Sequence, residues 1–84
     1  MAWVYVLRCR DGSLYTGWTS DLERRLERHR VGTASRYTAS RLPVELAFAQ
    51  AQPDRRAAMR EEARIKRLTR AQKLDLLARA GVAA

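Results

Sequence analysis

The sequence predicts an α+β fold, a small three-stranded antiparallel sheet with flanking helices in the order ββαβαα, and three observations carry that prediction. Two aromatic and β-branched runs are joined by Asp11-Gly12. A third run alternates apolar and polar residues after Pro43. Three segments of helical period each follow residues suited to cap a helix. With 84 residues, the chain is expected to form one domain, 1–84, around one modest core, since a shorter unit could not bury enough apolar surface to stand alone.

Residues 2–9, AWVYVLRC, and 14–18, LYTGW, form the arms of a predicted β-hairpin. Asp-Gly suits a tight turn because such turns need positive φ, which glycine adopts without steric penalty. Thr19, Ser20 or Asp21 can cap a helix to about Arg30, with Gly32 as its stop. At 100° per residue Leu22, Leu26 and His29 share a stripe and Arg25 borders it, so a cation and the only histidine sit beside the buried face. Residues 32–42 show no sustained period and read as a loop whose one large side chain is Tyr37.

Pro43 opens a third strand to about Gln50, in which Val44, Leu46 and Phe48 are expected to face the core while Glu45 and Ala47 face outward. A helix follows from about Asp54 to Leu68, with Ala57, Ala58, Ile65 and Leu68 as its apolar side. A last helix, Arg70 to Ala80, is capped by Thr69, carries Leu74 and Leu77, and is expected to end at Gly81. No internal repeat or low-complexity tract interrupts this order.

Composition narrows the function. Cys9 is the only cysteine and no His/Cys cluster exists, so neither a disulfide framework nor a structural zinc is expected. The apolar run 2–7 is too short for a signal peptide or a bilayer span, which points to a cytoplasmic protein without a membrane partner. Seventeen Lys and Arg against nine Asp and Glu give a formal net charge of +8, carried almost wholly by arginine. Guanidinium groups match phosphate geometry bidentately, so nucleic acid is the expected partner.

Several residues could carry chemistry on such a substrate. Tyr5 and Tyr15 lie on the two hairpin arms and become cross-strand neighbours if the turn centres on Asp11-Gly12. Arg25 and His29, at i and i+4, share one patch of the first helix. On the second, Glu61 lies nearer the centre of the Ile65 and Leu68 stripe while Glu62 borders it with Lys66 one turn on; the wheel leaves the choice between them open. A carboxylate can hold a divalent cation, a guanidinium can stabilise phosphate charge, and a phenol or imidazole can take a proton from water. Only one candidate metal carboxylate is apparent, which argues for one ion, not two.

These residues stand in a recognisable order. Trp3-Val4-Tyr5 and Tyr15-Thr16-Gly17 resemble the two name-giving motifs of the GIY-YIG nucleases, keeping both tyrosines and the final glycine. Arg25-Leu26-Glu27-Arg28-His29 resembles the family's Arg-x-x-x-His element, and Glu62-Ala63-Arg64-Ile65-Lys66 its Glu-x-x-Ile-Lys element. The likeness covers Trp3 to about Lys73 and is to the small stand-alone bacterial YhbQ-like (UPF0213) branch. It implies an endonuclease hydrolysing phosphodiester bonds in DNA, in nicked, branched or single-stranded form, with DNA preferred over RNA.

On this likeness one Mg²⁺ or Mn²⁺ sits at Glu62, with Glu61 as the alternative. Tyr5 or Tyr15 activates water, Arg25 stabilises the phosphate, and His29 and Tyr37 assist. Lys66, Arg24 and Arg28 are expected to touch substrate, and Gly17 to serve the motif's backbone. The first motif lacks its glycine and isoleucine, and Arg30 replaces a small polar residue. With no separate DNA-binding domain, target choice falls to this domain or to a protein partner.

Overall fold

A computed structural model describes residues 1–80. The strands are β1 (Ala2–Arg8), β2 (Leu14–Thr19) and β3 (Glu45–Gln52), and the helices α1 (Leu22–Arg30), α2 (Arg36–Ala39), α3 (Arg55–Lys66) and α4 (Arg70–Ala80). The sheet runs β2-β1-β3 and both pairings are antiparallel, as the sequence predicts. Gly81, expected to end the last helix, lies outside the described residues.

The hairpin turns as expected at Gly12, whose φ is +83°. Its loop is longer than a two-residue turn: Arg8 pairs with Leu14, and the Cys9 N–H donates to the Ser13 carbonyl at 2.9 Å. The register that results sets Tyr5 opposite Gly17 and Tyr15 opposite Leu7. The two tyrosines are therefore diagonal neighbours, not directly opposed, and because Tyr5 and Leu7 are two apart they share one face of the sheet.

Helix caps resolve what the sequence left open. Asp21 is the N-cap of α1, its carboxylate accepting from the Arg24 N–H at 3.1 Å, while Thr19 Oγ1 accepts from the Asp21 N–H. Gly32, at φ +80°, stops the helix as expected. Asp54 caps α3 through the Ala57 N–H at 2.8 Å, and Thr69 and Gln72 cap α4 reciprocally in a capping box.

Three expectations are corrected. The 32–42 segment is not all loop: Ser35 accepts from the Tyr37 N–H and caps the short helix α2. Ala47 is not outward-facing, because Leu7 pairs with Leu46 and Val6 with Phe48, so a β-bulge leaves Ala47 as the extra residue and turns it into the core, fully buried. In α4, Leu77 is buried but Leu74 is exposed, with Leu76 taking its place against the core.

The core joins Val4, Val6, Ala47, Phe48, Ile65 and Leu77 on one side of the sheet, under α3 and α4. The opposite face buries Tyr5 and Leu7, and there the Tyr5 hydroxyl meets His29 of α1, which in turn meets Thr38 of α2. Among the described residues no helix is long and apolar enough to cross a membrane.

Candidate active site

One polar cleft of about 290 Å³ collects residues from four elements: Tyr5 from β1, Tyr15 and Gly17 from β2, Arg25 from α1, and Arg55 and Glu62 from α3. Trp18, Thr19 and Ser20 complete its wall. Arg55 and Glu62 are seven apart, two turns on one helix face, which is why a single helix supplies both.

Tyr5 is the most constrained member. It is 1 % exposed, and its hydroxyl lies 2.8 Å from His29 Nε2, while His29 Nδ1 lies 2.9 Å from Thr38 Oγ1. One assignment of protons satisfies all three groups. Thr38 donates to the Ser35 carbonyl at 3.3 Å and accepts from Nδ1–H, leaving Nε2 to accept from the phenol. His29 is thus neutral. Burial, with Arg25 and Arg28 nearby, lowers its pKa to about 4. Burial likewise pushes the Tyr5 phenol well above its usual range, the neighbouring Tyr15 adding to the effect and Arg25 opposing it.

Gly17 explains its own identity. A Cβ there would lie 2.6 Å from the Tyr5 hydroxyl oxygen and 2.7 Å from the ring carbon bearing it. The Tyr5 ring lies across the β2 backbone, and only glycine leaves room for it.

Tyr15 continues the aromatic chain. Its ring meets His29 edge-on at 5.3 Å and stacks with Tyr37 at 5.9 Å between centroids. Arg41 covers Tyr37 at 3.8 Å, donates to the Tyr37 carbonyl, and pairs with Asp11 at 3.1 Å. The α2 segment is thereby tied to the hairpin turn. Tyr37 itself stands outside the cleft's lining, on the outer side of Tyr15.

The two glutamates of α3 separate. Glu61 is engaged by Arg64, whose Nε donates to it at 2.9 Å, and it does not line the cleft. Glu62 does, with Lys66 Nζ at 3.6 Å from Oε2 and, among the described residues, no cationic partner on Oε1. Lys66 lies outside the lining and reaches the site only through that ion pair. Arg24 and Arg28 line an adjoining groove with Arg25. Among the described residues Arg25 and Arg55 pair with no carboxylate.

Among the described residues no three His, Cys, Asp or Glu side chains cluster as a metal cage. A lone carboxylate fits an ion that keeps most of its waters and takes the rest of its ligands from phosphate, as Mg²⁺ does. Arg55, Thr38 and Arg41 were not singled out from sequence. Arg55 could have been found from its i, i+7 relation to Glu62; Thr38 and Arg41 lie in a segment without period and gave no signal.

The fold and this constellation define the class: residues 1–75 match the GIY-YIG catalytic domain, and the chain belongs to that family. The chain is also similar to UPF0213 proteins, a name that states no activity. One from Streptococcus sanguinis is 49 % identical over 73 residues, covering 87 % of this chain and 84 % of that protein. One from Clostridium perfringens is 47 % identical over 77 residues, covering 92 % and 83 %. The solution NMR structure of the UPF0213 protein BH0048 from Bacillus halodurans aligns with a TM-score of 0.61 at 42 % identity, over 93 % of this chain and 84 % of that one. Family membership implies a nuclease, a nucleic-acid substrate and the use of divalent metal ions.

Proposed function

We propose that the chain is a divalent-metal-dependent endonuclease that hydrolyses phosphodiester bonds in DNA, in nicked, branched or single-stranded form. One observation carries this reading: two phenols, a guanidinium and a carboxylate from four separate elements line one cleft on a strongly basic chain.

The chemistry divides among these groups. Arg25, without a carboxylate partner among the described residues, takes the non-bridging phosphate oxygens and stabilises charge as it develops there. Glu62 would hold one Mg²⁺ or Mn²⁺, and that ion would supply charge stabilisation on the phosphate and the leaving oxygen. Tyr15, once its phenol has given up its own proton to solvent, takes the proton of the attacking water as the new P–O bond forms and the P–O bond to the leaving oxygen breaks; it is partly exposed, and its hydroxyl makes no hydrogen bond among the described residues. Tyr5 keeps its proton, because burial raises its pKa and its O–H is committed to His29. It serves by fixing the wall against which Tyr15 and substrate sit, with His29 and Thr38 fixing it in turn. Tyr37 backs Tyr15, and Lys66 holds the Glu62 carboxylate in place.

The test is cleavage of nicked, branched and single-stranded DNA, with RNA for comparison, with and without Mg²⁺ or Mn²⁺. Metal-dependent cleavage is expected, falling about 10²-fold or more in Glu62→Gln and in Arg25→Ala and surviving in Glu61→Gln. Cleavage that persists in Glu62→Gln overturns the mechanism. The Glu62–Lys66 ion pair favours one second reading, a binding module with its metal carboxylate already neutralised. That reading predicts salt-dependent DNA binding, unaltered by Glu62→Gln, with no cleavage.

A further inference from the structure

Beside the Tyr5–Glu62 cleft lies a second groove of about 350 Å³, lined by Thr19, Ser20, Asp21, Arg24, Arg25 and Arg28. Thr19, Ser20 and Arg25 line both, so the two are lobes of one trough. We infer that the α1 lobe is a second phosphate subsite, which seats a backbone phosphate flanking the scissile one and so fixes the path of the strand through the site.

The charge arrangement points to an anion. Arg24, Arg25 and Arg28 lie on one turn of α1, yet among the described residues none pairs with a carboxylate. Of the acids on this stretch, Glu27 pairs with Arg30 at 3.5 Å, Asp21 accepts from the Arg24 N–H as the helix cap, and Glu23 does not line the groove. Among the described residues the Arg28 guanidinium makes one hydrogen bond, to the Thr33 carbonyl at 3.3 Å, which orients it without neutralising it. Three guanidiniums in one concavity repel one another, and a phosphate relieves that repulsion while accepting bidentate hydrogen bonds.

The shape suits a nucleic-acid strand better than an isolated anion. Arg24 and Arg28 are one turn apart, roughly 6 Å along the helix axis, and Arg25 lines both lobes, so a strand crossing from the Glu62 lobe to the α1 lobe meets positive charge in each. The Asp21 carboxylate repels an anion at the end of the groove nearest the cap, which confines the subsite to the Arg24 and Arg28 side.

This inference rests on the nuclease reading only in naming one phosphate as scissile; occupancy by a backbone phosphate can be tested without cleavage. Binding of a fluorescent DNA oligonucleotide by the full chain would be measured against salt concentration. Arg24→Ala/Arg28→Ala would be compared with Arg56→Ala/Arg60→Ala, which removes equal charge from exposed positions of α3 outside both lobes. The slope of log Kobs against log salt should fall by about 1 to 2 in the first variant, since each phosphate contact contributes about 0.7–0.9, and by clearly less in the second. Equal slopes in the two variants, or no change in the first, would overturn the subsite.

A cleavage arm separates the subsite from the chemistry. The loss of kcat/KM in Arg24→Ala/Arg28→Ala should be at least tenfold greater on the oligonucleotide than on bis-p-nitrophenyl phosphate, which has a single phosphate. Equal loss on both would assign these arginines to the reacting phosphate and overturn the flanking subsite. If the wild-type chain cleaves neither substrate, the nuclease reading falls, and the salt slopes still decide whether the α1 lobe binds phosphate.

Discussion

Thr16 and Gly17 are neighbours in β2 and face opposite layers of the molecule, and each carries a separate tension. Gly17 supports the Tyr5 ring; Thr16, paired with Val6, turns its hydroxyl toward the apolar core, where Oγ1 is buried without a hydrogen-bond partner. Adjacent substitutions should therefore move stability in opposite directions. Thr16→Val replaces an unsatisfied hydroxyl with a methyl of similar shape and is expected to stabilise by about 1 kcal/mol, read as a rise in Tm of roughly 4–8 °C. Gly17→Ala drives a Cβ into a ring held by His29 and is expected to destabilise by about 1–3 kcal/mol. A neutral Gly17→Ala would mean the Tyr5 ring can swing aside, which the buried hydrogen bond opposes.

At the scale of elements, much was legible because caps, turns and periodicity are local. The Asp11-Gly12 turn, the α1 stop at Gly32 and the α4 cap at Thr69 lie where the sequence puts them. The failures share one cause, a demand from a neighbouring element that local pattern does not encode. The β3 alternation breaks because pairing with β1 inserts a bulge at Ala47. The aperiodic 32–42 segment contains a helical turn because Ser35 caps it and Tyr37 can stack on Tyr15. Leu74 is exposed in α4 because Leu76 and Leu77 form the docked side.

Across the whole molecule, the buried Tyr5–His29–Thr38 network ties fold stability to pH. The His29 pKa lies near 4 in the folded chain against an ordinary 6.5. Between those values the unfolded chain binds the proton and the folded chain does not. The stabilising contribution is therefore complete above pH 6.5 and is lost as pH falls toward 4, at up to about 1.4 kcal/mol per pH unit. Asp11 acts in a different window. Hydrogen bonds from Ser13, then Arg41, hold its carboxyl below its ordinary 3.8, so its contribution is lost only at more acid pH. Chemical denaturation at several pH values should show the steeper decline between 6.5 and 4 in the wild type, and His29→Asn should flatten it. An unchanged slope in His29→Asn would place the pH dependence elsewhere.

The sequence by itself determined the order of the elements other than α2, the basic charge and the candidates Tyr5, Tyr15 and Arg25, since each depends on residue type and short-range spacing; between Glu61 and Glu62 spacing left the choice open, and only the family likeness pointed to Glu62. Whether those side chains share a cleft was decided only in three dimensions. The odd-length loop 9–13 puts both tyrosines on one face, and a register shifted by a single residue would have sent one of them into the opposite layer. Glu61 and Glu62 differ by 100° about the α3 axis, and only the docking of that helix turns Glu62 into the cleft and leaves Glu61 with Arg64. Periodicity names the faces of an element; contact with its neighbours decides what each face meets.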